Sequence, residues 1–222
     1  MGRRFALALS LLGCSALSLP AAAQERIVSI GPATTELIMA LGGEQSLIAT
    51  DVSSPEPKGL PRVGYHRALA AEGILSLAPT RLVGSDEMGP NSTLDQLRRA
   101  NVKVEVMATA PTLANLNERI DTLAHLLGDQ AAGSKLKEEI AAQSDTLAAQ
   151  AKQNKPLKVA FLLLHKGQPT SIAGGNTTAS ALVTLAGGVN PVAGLHDYKP
   201  VSTESLIELQ PDLVLVSGRD WQ

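Results

Sequence analysis

Short apolar, β-branched runs alternate along this chain with longer stretches in which apolar residues recur at helical spacing. The runs predict strands at Ile27–Ile30, Leu47–Thr50, Arg81–Gly84, Val102–Met107, Lys158–Leu164 and Leu213–Ser217. The longer stretches predict helices around 34–42, 69–77, 91–100, 112–128, 131–152, 177–186 and 202–210. Strands and helices that alternate in this way imply an α/β fold built on mostly parallel sheets.

The chain also resembles itself. "AEGILSLAPTRLVGS" (71–85) and "TESLIELQPDLVLVS" (203–217) align without a gap at an offset of 132, matching Glu72 to Glu204, Leu77 to Leu209, Pro79 to Pro211 and Ser85 to Ser217. A second pair, "TTELIMALGG" (34–43) and "TTASALVTLAGG" (177–188), aligns once two residues are inserted. Either pair alone fits a generic junction in which proline ends a helix and a buried strand follows. Both pairs in the same order predict two related lobes. Between them, "AAGSKLKEEIAAQSDTLAAQAKQ" (131–153) is rich in strong helix formers, lacks proline, and puts Leu136, Ile140 and Leu147 on one face. A helix of about 22 residues spans about 33 Å. Such a strut predicts limited hinge motion between an N-terminal lobe at 24–130 and a C-terminal lobe at 154–222.

The first 23 residues read as a processing signal. Arg3 and Arg4 precede an apolar run from Phe5 to Leu19, and Ala21, Ala22 and Ala23 follow Pro20, the small residues a signal peptidase requires. The run is too short and too weakly flanked to span a membrane. A lipoprotein signal ending Leu11-Leu12-Gly13-Cys14 is the minor alternative, because the chain stays apolar after Cys14. Cleavage after Ala23 takes two arginines from 19 basic residues, leaving 17 against 21 acidic ones and a net charge of −4. That balance argues against nucleic acid as a partner. It also removes the only cysteine, so no disulfide supports the core.

Few catalytic signatures are present. Gly31-Pro32-Ala33-Thr34-Thr35 and Gly174-Gly175-Asn176-Thr177-Thr178 place glycines before a helix start, where anions can bind. Neither contains a nucleotide-binding pattern, and the threonines read more simply as N-caps. There is no G-x-S-x-G elbow and no H-E-x-x-H, so an α/β enzyme is the less favoured reading.

The opening "RIVSIGPATTELIMALGG", with the paired "SLAPTRLVGS" and "ELQPDLVLVS", resembles the periplasmic substrate-binding proteins of ATP-driven importers. In that group two α/β lobes are joined by one long helix, and the cargo is cobalamin, an iron–siderophore or haem. "VGYHRALAAEGILSLAPT", "AGGNTTASALVTLAGGVNPV" and "YKPVSTESLIELQPDLVLV" most resemble the haem-binding branch, and the resemblance covers nearly all of 25–218. It implies two Rossmann-like lobes, a periplasmic monomer that captures haem, and delivery to the transmembrane subunits of an ABC-type permease. A cobalamin- or siderophore-binding protein is the alternative within the same fold. Such proteins usually continue for several dozen residues past the "PDLVLV" strand, so the second lobe is expected to be incomplete.

Within this frame Tyr65, which follows Gly64 in a predicted loop, takes the role of axial ligand to haem iron. A phenolate is a hard anionic donor suited to ferric iron, and tyrosine is a known haem ligand. A free phenol ionises only well above neutrality, so ligation needs the ferric ion and a nearby cation such as Arg67. Arg67 could equally pair with a haem propionate. His66 carries the commoner iron-binding group. Neighbours in an extended segment point to opposite sides, however, so His66 is expected at the rim of the haem site and not on the iron of Tyr65.

His165 follows the strand "KVAFLLL" at its carboxyl end, where ligands gather in such sheets. Some haem-binding members have a histidine in the second lobe facing the cleft, which makes His165 a candidate second iron ligand. His125, in a helical stretch, and His196, in a loop, read as structural or solvated. Glu72 and Glu204 match the positions at which the family docks one glutamate per lobe onto arginines of the permease. Each also suits the first turn of a helix, where an acid complements the dipole.

Overall fold

The computed structural model describes residues 25–55, 59–164 and 167–217; the expected signal segment, Cys14 included, lies outside them. Strands β1 (Ile27–Ile30), β2 (Leu47–Thr50), β3 (Arg81–Ser85) and β4 (Lys103–Met107) form a parallel sheet in the order β2-β1-β3-β4. Strands β5 (Val159–Leu163), β6 (Ser171–Ala173), β7 (Tyr198–Pro200) and β8 (Leu213–Val216) form a second sheet in the order β7-β6-β5-β8. In it β5 runs parallel to β8 and antiparallel to β6, which is in turn antiparallel to β7.

Helices α1 (Pro32–Ala40), α2 (Ala71–Leu75), α3 (Asn91–Arg99), α4 (Leu113–Leu127), α5 (Gln130–Ala151), α6 (Thr178–Leu185) and α7 (Thr203–Leu209) fall where the apolar spacing predicts them. The architecture is the two-lobed α/β fold that the alternation implies. Strands β6 and β7 are additions to that expectation: at three residues each they are too short to show an alternating pattern.

Alternate residues of the central strands in the first sheet feed two cores, because successive side chains on a strand point to opposite faces. Val28, Ile30 and Leu82 pack with Ile74 of α2 and with Leu94 and Leu97 of α3. Ile27 and Val83 pack on the other face with Ile38 of α1 and with Ile120 and Leu123 of α4. Each such side chain contributes about 1.5–3 kcal/mol when fully buried. The core of the second sheet is smaller: Ala160, Leu162 and Ile172 are buried, and Val201, Leu206 and Leu209 cover them in part.

The internal repeat extends into backbone detail. Strands β1 and β3 pair from Ile27↔Arg81 to Ile30↔Gly84, while β5 and β8 pair from Val159↔Leu213 to Leu162↔Val216, every position displaced by the same 132 residues. Ala78 and Gln210 both adopt the left-handed region, with φ of 48° and 45°, each just before a proline. The amide of Arg26 donates to Thr80 Oγ1 at 2.9 Å, and that of Lys158 donates to Asp212 Oδ2 at 2.7 Å.

Helix α5 joins the lobes with 22 residues. Its start is fixed by Gly128, in the left-handed region at φ 75°, and by Asp129, whose carboxylate accepts from the amide of Ala132 at 2.9 Å. Both ends make close contacts that need a missing side chain. A Cβ on Gly133 would lie 2.6 Å from that of Ala124 in α4, and a Cβ on Gly187, after α6, would lie 2.4 Å from that of Ala151.

Candidate interlobe binding site

In the first sheet the chain turns from β1 to β2 on one side and from β3 to β4 on the other. The carboxyl ends of β1 and β3 therefore flank a topological switch point, the usual ligand position in open α/β sheets. Asp51, at the end of β2, is fully buried there. Its carboxylate accepts from the amides of Gly31 at 2.8 Å and Ser53 at 3.1 Å and from the hydroxyls of Ser53 and Ser54. Burial alone would raise its pKa, but these hydrogen bonds outweigh it and hold the carboxyl below the ordinary aspartate range. Arg62 donates to the carbonyls of Asp51 and Ser54 at 2.5 and 2.8 Å and fixes the same corner.

The loop carrying Tyr65 is tied to this corner on both sides. Thr50 donates to the carbonyl of Pro61 at 3.1 Å and accepts from Val63 at 3.0 Å, while Gly89 donates to the carbonyl of His66 at 2.9 Å. Gly64, at φ 94°, lets the chain reverse. Residues 65–68 then form a turn closed by the Ala68 amide on the Tyr65 carbonyl at 2.8 Å.

The expectation that Tyr65 and His66 point to opposite sides fails, because this segment is a turn and not extended. Their ring centroids lie 4.1 Å apart. His66 is held through both ring nitrogens: Nδ1 lies 3.2 Å from Ser53 Oγ and 3.6 Å from Asp51 Oδ2, and Nε2 accepts from Arg67 Nε at 3.4 Å. Tyr65 is 47 % exposed. Arg67 pairs with Glu87 at 2.5 Å rather than with Tyr65, and both partners are exposed.

Glu72 is exposed in the first turn of α2, four residues after the turn that carries Tyr65 closes at Ala68. Helix α2 begins at Ala71, not at 69, because the amide of Leu69 donates to Gly89 and its carbonyl accepts from Thr93 Oγ1. Glu204 occupies the matching first turn of α7, and hydrogen bonds from its own amide and the Ser202 hydroxyl lower its pKa. His125 lies in the last turn of α4 and His196 in an exposed loop. His165 lies outside the described residues.

A cavity of about 910 Å³ separates the lobes, within the range of small-molecule sites. Its walls are the loop after β4 and helix α4 from the first lobe, α6 from the second, and the end of α5 behind. Leu113, Leu116, Leu182 and Leu185 make it largely apolar. A smaller cavity of about 120 Å³ at the switch point is lined by His66, Glu87 and the start of α1, and shares Ala33, Thr109 and Arg119 with the larger one. The loop of Tyr65 and His66 thus communicates with the space between the lobes.

Arg119 went unnoticed in the sequence, although a signal existed. It stands three residues after Leu116 and beside Ile120, inside the apolar stripe of α4. A third cavity, of about 830 Å³, lies against Phe161, Leu213 and Leu215 on a face of the second sheet, away from the carboxyl ends of the first.

Two related lobes on one connecting helix, with an apolar cavity between them, define a cleft-type binding protein. The chain belongs to the periplasmic binding protein family, whose model matches residues 27–222. The periplasmic haem-binding protein HutB of Vibrio cholerae is 49% identical and superposes with a TM-score of 0.85, over 89% of this chain and 77% of that one. A periplasmic haem-binding protein from Pseudomonas aeruginosa is 35% identical with a TM-score of 0.81, over 89% and 73% of the two chains. The vitamin B12-binding protein of Yersinia pestis (strain Pestoides F) is 30% identical over 97% of this chain and 77% of its own length. Members of this family are ligand-binding components of transporters, so the protein is not an enzyme.

Proposed function

We propose that this protein captures haem in the periplasm and delivers it to an ABC-type permease, with Tyr65 as the axial ligand to ferric iron. The observation that carries the reading is the half-exposed Tyr65 on a loop that opens, through His66 and the switch-point cavity, onto an apolar space between the lobes. Similarity to haem-binding relatives at up to 49% identity supports the same ligand. His66 acts as a support for the Tyr65 ring, since both its nitrogens are engaged within the protein. The exposed Arg67–Glu87 pair contributes little to stability, which leaves Arg67 free to exchange its partner for a propionate. His165 is the candidate iron ligand from the second lobe. Glu72 and Glu204 are the candidate docking groups for the two permease subunits, and the protein acts as a monomer after removal of residues 1–23.

Titration with hemin, followed by absorption spectroscopy, tests this. Tyr65→Ala is expected to weaken binding by at least about tenfold, or about 1.4 kcal/mol, and to abolish the tyrosinate-to-iron absorption. An unchanged affinity and spectrum would sink the assignment. The similarity to a vitamin B12-binding protein favours cobalamin as the second reading. Cyanocobalamin binding in preference to hemin would establish it.

A further inference from the structure

Arg119 is the one ionisable side chain among the described residues that line the interlobe cavity, and it lines the switch-point cavity as well. Its neighbours on α4 are core residues: Ile120 and Leu123 are completely buried. Its Nε is buried and has no hydrogen-bond partner. Burial lowers its pKa, opposed by the field of the Asp86 carboxylate. Among the described residues no ion pair within 4.0 Å joins the two, and Asp86 instead accepts from Thr109 Oγ1 at 2.7 Å.

A buried donor without a partner is costly, and a guanidinium is still charged at neutral pH in such a place. Arg67 makes the contrast, being exposed and already paired with Glu87. A guanidinium fork matches a carboxylate through two parallel hydrogen bonds. An apolar cavity with a single unpaired guanidinium therefore fits an apolar ligand that carries a carboxylate at its edge.

We infer that Arg119 is the carboxylate anchor of the interlobe cleft, engaging a propionate of the bound tetrapyrrole. The inference rests on the haem reading, because haem presents carboxylates at its edge where the corrin ring of cobalamin presents amides. Arg119 thereby contributes to discrimination between the two cargoes as well as to affinity.

Iron-free porphyrins separate this contact from iron ligation. Protoporphyrin IX and its dimethyl ester are titrated into the wild-type protein, Arg119→Met and Arg119→Lys, with porphyrin fluorescence as the readout. Arg119→Met is expected to weaken the diacid by about 10- to 100-fold and to change the diester by no more than about twofold. Arg119→Lys, which keeps the charge and loses the fork, is expected to retain part of the preference and guards against a folding defect in the methionine variant. Equal losses for diacid and diester, or no loss for either, overturn the anchor and leave the haem reading standing. A wild-type protein that binds hemin but neither porphyrin overturns the anchor alone, and one that binds neither hemin nor either porphyrin sinks the haem reading with it. Failure of Tyr65 as ligand appears only in the hemin spectrum.

Discussion

Strands β3 and β8 arise from the same repeated stretch, share one pairing register with their neighbours, and end in opposite environments. Leu82 and Val83 of β3 are completely buried, whereas their counterparts Val214 and Leu215 of β8 are each 40% exposed. The cause is not in the strands. β3 has partners on both sides and helices on both faces, while β8 lies at the edge of its sheet with β5 as its one strand partner among the described residues. A sequence repeat fixes register and the turns that precede a strand; burial depends on what the rest of the chain lays over it.

The sharpest way to break this comparison is to make the same deletion in both strands. Leu82→Ala is expected to cost about 2–5 kcal/mol in a denaturant melt, and Leu215→Ala about 1 kcal/mol or less. Equal costs would mean that the exposed face of β8 is covered in solution.

A second contrast lies in the polar corners. The first lobe fixes the end of β2 with ionised Asp51, whereas the second uses Asn190, which donates to the carbonyl of Ala173 and the hydroxyl of Ser180, both at 2.9 Å. Because the pKa of Asp51 is depressed on folding, its contribution is complete above the ordinary aspartate range and is lost as pH falls through the lower, folded value. Asp51→Asn is expected to lower stability at neutral pH by about 1–3 kcal/mol and to flatten the acid limb of the melting profile. Amide exchange should show acid-induced opening in the loops around Asp51 and Tyr65 but not around Asn190; equal opening at both corners would contradict the assignment.

The smallest effect concerns the matched left-handed residues. Ala78→Gly and Gln210→Gly each relieve a conformation that costs an L-residue about 1 kcal/mol or more, offset in part by the flexibility glycine adds to the unfolded chain. Both variants should melt at or slightly above the wild type, with the same sign in each lobe. Opposite signs would show that the two turns are not equivalent.

Much of this was legible before any coordinates. The apolar period located seven helices and six strands, and the 132-residue offset pointed to two related lobes, in which β1 with β3 and β5 with β8 share one register. The antiparallel additions β6 and β7 were not legible, because a three-residue strand gives no period to read. The loop at Tyr65 was found, but its geometry was misjudged: Gly64 and the tie from Gly89 make a turn, which brings the His66 ring beside that of Tyr65. Arg119 was passed over because a charge in a helix reads by default as solvated. Only the packing of α4 shows that this one faces an apolar cavity.

The two glycine contacts of α5 carry a mechanical consequence. The helix is seated at each end on a bearing no larger than a hydrogen atom, at Gly133 against α4 and at Gly187 against its own last turn. Ala151 and Gly187 also form part of the cavity wall. The gauge of the cleft is therefore set at the bearing itself: a methyl group added at Gly187 would act as a shim against Ala151, tilting the second lobe and resizing the opening.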